Sequence, residues 1–204
     1  MKLIVIIPAY NEAETVGGVI MSIPKIIAGI DKIETLVVND GSSDNTAEIA
    51  KEAGASVISH SANEGLGAAF SDGIGRALKM GADIIVNMDA DDQFDANDIL
   101  ALIKPILDGR AGVVTGSRFK NGSKIPNMSI SRKLGNRFFV WLVNILTGEK
   151  FTDTACGFRA YSREAALRLN LFGGFTYTQE VLLDLIAKEQ RIEEAPVKVI
   201  YHAG

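Results

Sequence analysis

The 204 residues of the chain are enough for one domain with a sizeable core, and a composition of 47% hydrophobic and 23% charged residues excludes wholesale disorder. The single cysteine, Cys156, excludes an internal disulfide and a multi-cysteine zinc site, and it indicates a reducing compartment. The net charge of −4 disfavours general nucleic-acid binding, but residues 109–148 carry seven basic and no acidic side chains, which favours contact with a phosphate or an anionic surface.

Short apolar runs rich in Val and Ile alternate with helical patterns over the first half of the chain. The predicted strands are residues 3–7, 35–38, 57–59, 84–88 and 113–115. The predicted helices are residues 13–23, 44–53 with Ser43 as N-cap and Gly54 after the last turn, 66–80, and 95–107 with Pro105 kinking or shortening it. Strands without polar alternation, separated by helices, indicate a parallel sheet covered on both faces. The predicted fold class is therefore α/β, doubly wound, with a mostly parallel sheet.

The alternation of strands and helices ends after about residue 115. Helices are predicted at 130–146, 163–169 and 178–188, and a last apolar run follows at 197–201. We expect residues 1–204 to form one domain, with a nucleotide-binding half at 1–117 and an acceptor-side half at 118–204.

Polar residues follow each of the five predicted strands of the first half. These turns are residues 8–12, 39–44, 63–67, 89–93 and 116–118. Ligands of open parallel sheets bind beyond the carboxyl ends of the strands. Five polar turns at one edge of the sheet therefore predict a binding site there.

The turn at 89–93 contains the residues best suited to a metal. In extended backbone Asp89 and Asp91 point to the same side, and Gln93 continues that side with an amide oxygen. Such hard oxygen ligands suit Mg²⁺ or Mn²⁺ and leave positions for phosphate oxygens. The alternative is an acidic turn that caps the helix beginning at residue 95.

Asp40 also has two interpretations, an acceptor of hydrogen bonds from a nucleobase or ribose and a carboxylate of a tight turn. Gly65-Leu66-Gly67 is not a dinucleotide fingerprint, because it follows the third strand and Phe70 occupies the third glycine's position. This stretch either lets the backbone pass close to a ligand or only makes the turn. Neither His60 nor His202 is interpreted as functional.

The predicted helix at 130–146 is basic and amphipathic. An apolar stripe contains Ile130, Leu134, Phe138, Trp141 or Leu142, and Ile145, while Arg132, Lys133 and Arg137 lie mainly off it. Such a helix rests on an anionic membrane surface or packs its apolar stripe on its own core, and the pattern alone does not separate the two.

Six ordered motifs resemble family-two glycosyltransferases of the GT-A fold, and most of all the dolichyl- or polyprenyl-phosphate mannosyl- and glucosyltransferases. The motifs are PAYNE at 8–12, VNDGSSD at 38–44, NEGLGAA at 63–69, DADDQ at 89–93, GSR at 116–118 and GFR at 157–159. The resemblance covers nearly the whole chain. It implies metal-dependent, inverting transfer of mannose or glucose from GDP-mannose or UDP-glucose to a polyprenyl phosphate, with Mg²⁺ or Mn²⁺ as cofactor.

The resemblance also implies roles for individual residues. The implied donor-binding residues are Pro8, Ala9, Tyr10, Glu12, Asp40, Asn63, Gly67, Asp89, Ala90 and Asp91. The implied metal ligands are Asp89, Asp91 and Gln93, and the arginines implied to meet the acceptor phosphate are Arg118 and Arg132. The implied catalytic residues are Asp91, Arg118 and Asp153, the last matching a carboxylate that acts as base or orienter in relatives.

The chain departs from the family pattern in two places. Relatives commonly continue past a glycine equivalent to Gly204, and His202 stands where many carry arginine. We therefore expect a catalytic domain from a longer chain with membrane helices, working at the cytoplasmic face of a membrane.

Three other functions remain open. In the first, the acceptor is a saccharide hydroxyl, and Asp153 is then required as the base. In the second, the chain is a non-catalytic module that binds a nucleotide sugar or a lipid. In the third, Asp89 and Asp91 are the nucleophile pair of a phosphatase, but their position after the fourth predicted strand disfavours this function.

Overall fold

The computed structural model describes residues 1–120, 130–170 and 177–200, without the side chains of residues 130–133 and 177. The strands are β1 (Lys2–Ala9), β2 (Lys32–Asn39), β3 (Ser56–Ser59), β4 (Ile84–Asn87), β5 (Val113–Ser117), β6 (Arg159–Ser162) and β7 (Ile192–Pro196). The helices are α1 (Val16–Ser22), α2 (Thr46–Glu52), α3 (Leu66–Lys79), α4 (Ile99–Leu107), α5 (Ile130–Thr147), α6 (Arg163–Arg168) and α7 (Tyr177–Ala187).

The strands form one sheet in the order β3-β2-β1-β4-β6-β5-β7. Neighbouring strands are parallel except at β6, which runs antiparallel to both β4 and β5. The predicted mostly parallel α/β sheet is therefore confirmed, with one reversed strand in its interior.

The core lies on both faces of this sheet, as alternate residues of β1 show. Leu3, Val5 and Ile7 pack with buried residues of α1 and α4 on one face. Ile4 and Ile6 pack with buried residues of α3, α6 and α7 on the other. All five are fully buried, so β1 is apolar after Lys2 because from Leu3 onwards it has no solvent-facing side.

Three predicted helix starts are too early: α1 begins at Val16 rather than at residue 13, and at α2 and α4 an aspartate explains the difference. Ser43 is not the N-cap of α2, which begins at Thr46 after the Asp44 carboxylate accepts the Thr46 backbone N–H at 3.0 Å. The helix predicted from residue 95 opens as a 3₁₀ turn, because Asp95 accepts the Asn97 N–H at 2.9 Å and α4 starts only at Ile99. The helix end was predicted correctly at Gly54, whose φ of 92° suits the residue after a last turn.

Strands β6 and β7 were not predicted from the sequence. Four-residue β6 includes the polar residues Arg159 and Ser162, and β7 at the sheet edge includes Glu193 and Glu194. The predicted apolar run at 197–201 follows β7, and its Val199 forms an isolated bridge with Phe94.

Helix α5 matches its predicted bounds, and its apolar stripe is exposed. Phe138, Trp141 and Ile145 are 56%, 58% and 61% exposed, so the described part of the stripe does not pack on the chain's own core. Among the helices that the structure describes, none combines the length and hydropathy that crossing a bilayer requires. His202 and Gly204, the two departures from the family pattern, lie outside the described residues.

Candidate functional site

A cavity of about 480 Å³ opens at the carboxyl ends of β1, β2 and β4. Every residue predicted to bind the nucleotide sugar lines it except Gly67, which is buried in the first turn of α3. The lining residues predicted from the sequence are Pro8, Ala9, Tyr10, Glu12, Asp40, Asn63, Asp89, Ala90 and Asp91. The structure thus brings together the polar turns that follow the first four predicted strands.

Other residues of the lining were not predicted as site residues. They are Gly65, Leu66, Ala69, Ala155, Gly157 and Thr178. Gly157 belongs to the GFR motif, so the sequence contained a signal for it. Ala155 and Thr178 carry no such signal, because only the tertiary structure brings them to the cavity. Ala155 is placed by the pairing of nearby β6 with β4, and Thr178 by a 2.6 Å hydrogen bond from Arg159 Nη1 to its carbonyl oxygen.

Asp89 is the carboxyl group whose environment most opposes ionisation. It keeps some surface facing the cavity, but the surrounding protein removes most of its hydration. This burial, together with the charge of Asp91, raises the pKa of Asp89 to about 6, although Arg118 and Arg159 act in the opposite direction. Two close carboxylates at a cavity wall form a site where a cation would relieve mutual repulsion.

Asp91 lies in a backbone bend rather than in the extended segment assumed from the sequence. Its Oδ1 accepts the Gln93 backbone N–H at 3.1 Å, and the next residue, exposed Asp92, has a φ of 56°. Asp89 and Asp91 both line the cavity, whereas Gln93 is not part of the lining that the structure describes.

The donor set fits a metal that arrives with its substrate. Within residues 1–120, 130–170 and 177–200 no three His, Cys, Asp or Glu residues cluster as a metal site, so Asp89 and Asp91 stand as a pair. Mg²⁺ is often held by one or two carboxylates together with substrate phosphates and water. A pair of hard oxygen ligands at an open cavity matches that mode.

Asp40 lies at the end of β2, on the opposite side of the cavity from Asp89's turn, and is 4% exposed. Its Oδ1 accepts the Glu64 backbone N–H at 2.8 Å, and its Oδ2 accepts the Gly65 backbone N–H at 2.9 Å. Burial raises the pKa of Asp40, but the Glu64, His60 and Gly65 hydrogen bonds outweigh it and hold the pKa below its usual value. Asp40 is therefore a firmly ionised acceptor beside the cavity.

His60, which the sequence prediction set aside, contacts this carboxylate. Its Nδ1 lies 2.7 Å from Asp40 Oδ1, and its Nε2 lies 3.1 Å from Oδ2 of Asp72 on α3. Burial lowers the pKa of His60, but Asp40, Glu64 and Asp72 together raise it above its usual value. No local motif marks His60, because the contact depends on the end of β3 meeting β2 and α3.

The turns that carry the site are fixed to each other by hydrogen bonds from backbone N–H groups to side-chain oxygens and by one close backbone approach. Asn11 adopts a φ of 55°, its Oδ1 accepts the Ser43 N–H at 2.9 Å, and its own N–H donates to Ser42 Oγ at 3.0 Å. Gly41 has a φ of 69°, and a Cβ there would lie 2.3 Å from the Ala62 carbonyl carbon. Only glycine at position 41 lets the turn after β2 pass so close to the backbone of Ala62.

Arg118 and Asp153 form a partly buried ion pair close enough to Asp89 for the arginine to act on its pKa. Arg118 Nε lies 2.6 Å from Asp153 Oδ2 and Nη2 lies 2.9 Å from Oδ1, a bidentate arrangement, and Asp153 is fully buried. Asp153 also accepts the backbone N–H groups of Arg118 and Ala155. The carboxylate thus orients the guanidinium. The side chain of Arg132, in the first turn of α5, lies outside the described residues.

Comparisons with known proteins agree with this geometry. The chain is 34% identical to UDP-N-acetylglucosamine--dolichyl-phosphate N-acetylglucosaminyltransferase of Methanococcus voltae, over 98% of this chain and 86% of the relative. It is 27% identical to undecaprenyl-phosphate mannosyltransferase of Micrococcus luteus, over 98% of this chain and 84% of the relative.

The fold is similar to that of glucosyl-3-phosphoglycerate synthase of Mycobacterium tuberculosis in complex with UDP, with a TM-score of 0.79 at 23% identity over 100% of this chain and 72% of that one. The same synthase has been solved with Mn²⁺, UDP-glucose and phosphoglyceric acid. These likenesses confirm the predicted GT-A fold.

The model of glycosyl transferase family 2 matches residues 4–169, a span that includes most of β1, all of β2 to β6 and nearly the whole cavity lining. The chain therefore belongs to glycosyl transferase family 2 and is a glycosyltransferase.

Proposed function

We propose that this glycosyltransferase moves a hexose, mannose or glucose, from a nucleoside diphosphate sugar to a polyprenyl phosphate, with inversion at the anomeric carbon and with Mg²⁺ or Mn²⁺ as cofactor. The observation that carries the proposal is that Asp89 and Asp91 line one side of the cavity and that ionised Asp40 lines the opposite side. Relatives whose names specify dolichyl and undecaprenyl phosphates support the acceptor class.

The donor would lie along the carboxyl ends of β1, β2 and β4. Asp40 accepts a hydrogen bond from the nucleobase or ribose, and the diphosphate reaches the turn of Asp89 and Asp91. These two carboxylates would hold the divalent metal, which when bound neutralises the charge that develops on the departing diphosphate. The Mn²⁺ and UDP-glucose complex of the structural neighbour supports this use of the fold.

The acceptor phosphate would be oriented by Arg118, whose guanidinium is held by Asp153. An oxygen of the phosphate attacks the anomeric carbon as the bond from that carbon to the diphosphate oxygen breaks. One displacement inverts the configuration. A phosphate is already anionic near neutral pH, so the nucleophile requires no base, and Asp153 remains engaged with Arg118. A saccharide hydroxyl would require a free base, which the Arg118–Asp153 contact disfavours.

Helix α5 would rest on the membrane that contains the lipid acceptor. Its exposed apolar side chains include Phe138 and Trp141, whose ring centroids are 6.1 Å apart, and exposed Arg137 directly precedes Phe138 in the sequence. An amphipathic helix with aromatic and basic residues binds the interface of anionic bilayers.

The test is transfer of labelled sugar from GDP- and UDP-hexoses to a short polyprenyl phosphate with Mn²⁺. We expect product with the phosphate acceptor and none with the corresponding polyprenol, and we expect Asp91→Asn to lower the rate about 100-fold or more without changing the fold. Full activity in excess chelator, or in Asp91→Asn, would refute metal-dependent transfer. Transfer to a neutral saccharide alone would refute the proposed acceptor.

A further inference from the structure

The side chain of His60 bridges two carboxylates that belong to different elements. Nδ1 contacts Asp40 at the end of β2, Nε2 contacts Asp72 on α3, and the imidazole is 8% exposed. An imidazole with both ring nitrogens against carboxylate oxygens satisfies both contacts only when both nitrogens carry protons. The charged groups that face it are Asp40, Asp72 and Glu64, all of them acidic. These acidic neighbours favour protonation of the ring, and His60 Nδ1 donates to Asp40 Oδ1.

This contact limits what Asp40 can accept from a ligand. Each oxygen of a carboxylate has two acceptor positions. Oδ1 is occupied by His60 Nδ1 and by the Glu64 N–H, and Oδ2 is occupied once, by the Gly65 N–H. In the part of the chain that the structure describes, Asp40 thus has one acceptor position left, on Oδ2.

The Watson–Crick edges of uracil and guanine differ in the number of donors that they present. Uracil has one N–H between two carbonyl oxygens, whereas guanine has an N–H next to an amino group and pairs best with both oxygens of a carboxylate. One position on Asp40 satisfies uracil and leaves one guanine donor without a partner, which is costly in a desolvated site. Asn63, in the same lining, carries an amide that can donate to a uracil carbonyl.

We infer that His60 is a positioning residue that saturates Asp40 Oδ1 and thereby makes the cavity select a uracil nucleotide over a guanine nucleotide. The inference rests on the proposed function, because it assumes that a nucleoside diphosphate occupies the cavity.

The first experiment measures binding of UDP and of GDP to the full chain by calorimetry with Mg²⁺. We expect UDP to bind about tenfold more tightly or better, the effect of leaving one buried donor unpaired. Equal or tighter binding of GDP would overturn the selection of uracil while leaving the proposed function in place. Binding of neither nucleotide would refute the proposed function and the inference with it.

Two variants separate the contacts of His60. The amide nitrogen of His60→Asn takes the place of Nδ1 and keeps the contact with Asp40, whereas that of His60→Gln takes the place of Nε2 and keeps the contact with Asp72. We expect His60→Asn to retain most of the preference for UDP and His60→Gln to lose roughly fivefold of it or more, because Oδ1 regains an acceptor position. An unchanged preference in His60→Gln, or equal losses in both variants, would show that His60 supports only the fold.

If His60→Gln does not fold, nitrogen-15 spectra of the wild-type imidazole rings decide the question. The chain has two histidines, so the His202→Gln variant assigns the signals. We expect Nδ1 of His60 to be protonated at pH 7 and its signal to move when UDP binds. An Nδ1 without a proton, or an Nδ1 signal that UDP does not change, would overturn the inference.

Discussion

Asp89 illustrates how the chemistry of one residue opposes the stability of the fold. Its pKa of about 6 lies above the value near 3.8 of an unperturbed aspartate, so the folded chain holds this proton more tightly than the unfolded chain does. Stability contributed by the protonated form is therefore present at low pH and is lost as pH rises from about 4 to about 6. Above that range the metal-free protein keeps a destabilising carboxylate.

The variant Asp89→Asn removes that charge. In metal-free buffer at pH 7.5 we expect its free energy of unfolding to be about 1–3 kcal/mol higher than that of wild type. We expect the same variant to lose sugar transfer when assayed with metal. Urea unfolding at pH 7.5 and at pH 4 measures the effect, and the gain should shrink toward zero at the lower pH. The neighbouring exposed Asp92→Asn is the control, with an expected change within about 0.5 kcal/mol. If Asp89→Asn were less stable than wild type at pH 7.5, the carboxylate of Asp89 would not be destabilising the metal-free fold.

Most residues of the cavity lining could be predicted because they lie in short ordered motifs that follow apolar strands, while their roles in binding stay predictions. His60 could not, because its significance lies in contacts with Asp40 and Asp72 rather than in its neighbours along the chain. Gly67 was predicted in the lining with the rest of its motif, but the start of α3 at Leu66 buries it inside the helix.

At the scale of elements, the sequence predicted α5 and its amphipathic pattern, and the structure shows that the apolar stripe is exposed. Strands β6 and β7 escaped prediction because a short interior strand with a buried arginine and an edge strand with two glutamates lack an apolar run. Arg159 is tolerated in β6 because its guanidinium donates to oxygens of Thr115, Thr154 and Thr178.

Helix α5 gives a prediction about membranes. Phe138→Ser and Trp141→Ser should each weaken partitioning to anionic phosphatidylglycerol vesicles by about tenfold, because each removes an exposed aromatic ring from the helix. The unfolding temperature should change little, since both side chains are more than half exposed. Vesicle sedimentation measures the effect.

The matched control for α5 is Ile26→Ser, which removes a 90% exposed apolar side chain from the connection between α1 and β2. Partitioning of this variant should equal that of wild type. An equal loss in Ile26→Ser, or no loss in the α5 variants, would show that α5 does not bind the bilayer.

At the scale of the molecule, the basic segment 109–148 offers less free charge than its sequence indicates. Arg110 pairs with Asp108 and Glu193, and Arg118 pairs with Asp153. Exposed Arg137 lies on α5, so part of the remaining positive charge accompanies the exposed aromatic residues. Because the net charge of the chain is −4 although residues 109–148 carry only basic charges, the other residues are acidic in sum, and this charge separation would give the molecule a preferred orientation at an anionic surface.

The sheet order predicts that residues 1–117 do not fold alone. Without β6, strand β5 has no hydrogen-bonded connection to β4, and the buried edge of β4 is open. We expect the fragment 1–117 to aggregate and to show no cooperative thermal transition by circular dichroism, whereas the full chain shows one. Cooperative melting of the fragment together with UDP binding would contradict this prediction.

The position of β6 also affects how the chain is made. Asn87 of β4 pairs with Arg159, so the apolar edge of β4 emerges from the ribosome long before its partner strand is synthesised. At typical translation rates the delay is roughly 4–15 s, during which this edge can pair with other chains or with chaperones. Strand β6, which covers the open edge of β4 and joins it to β5, thus also determines when, during translation, this edge becomes protected from aggregation.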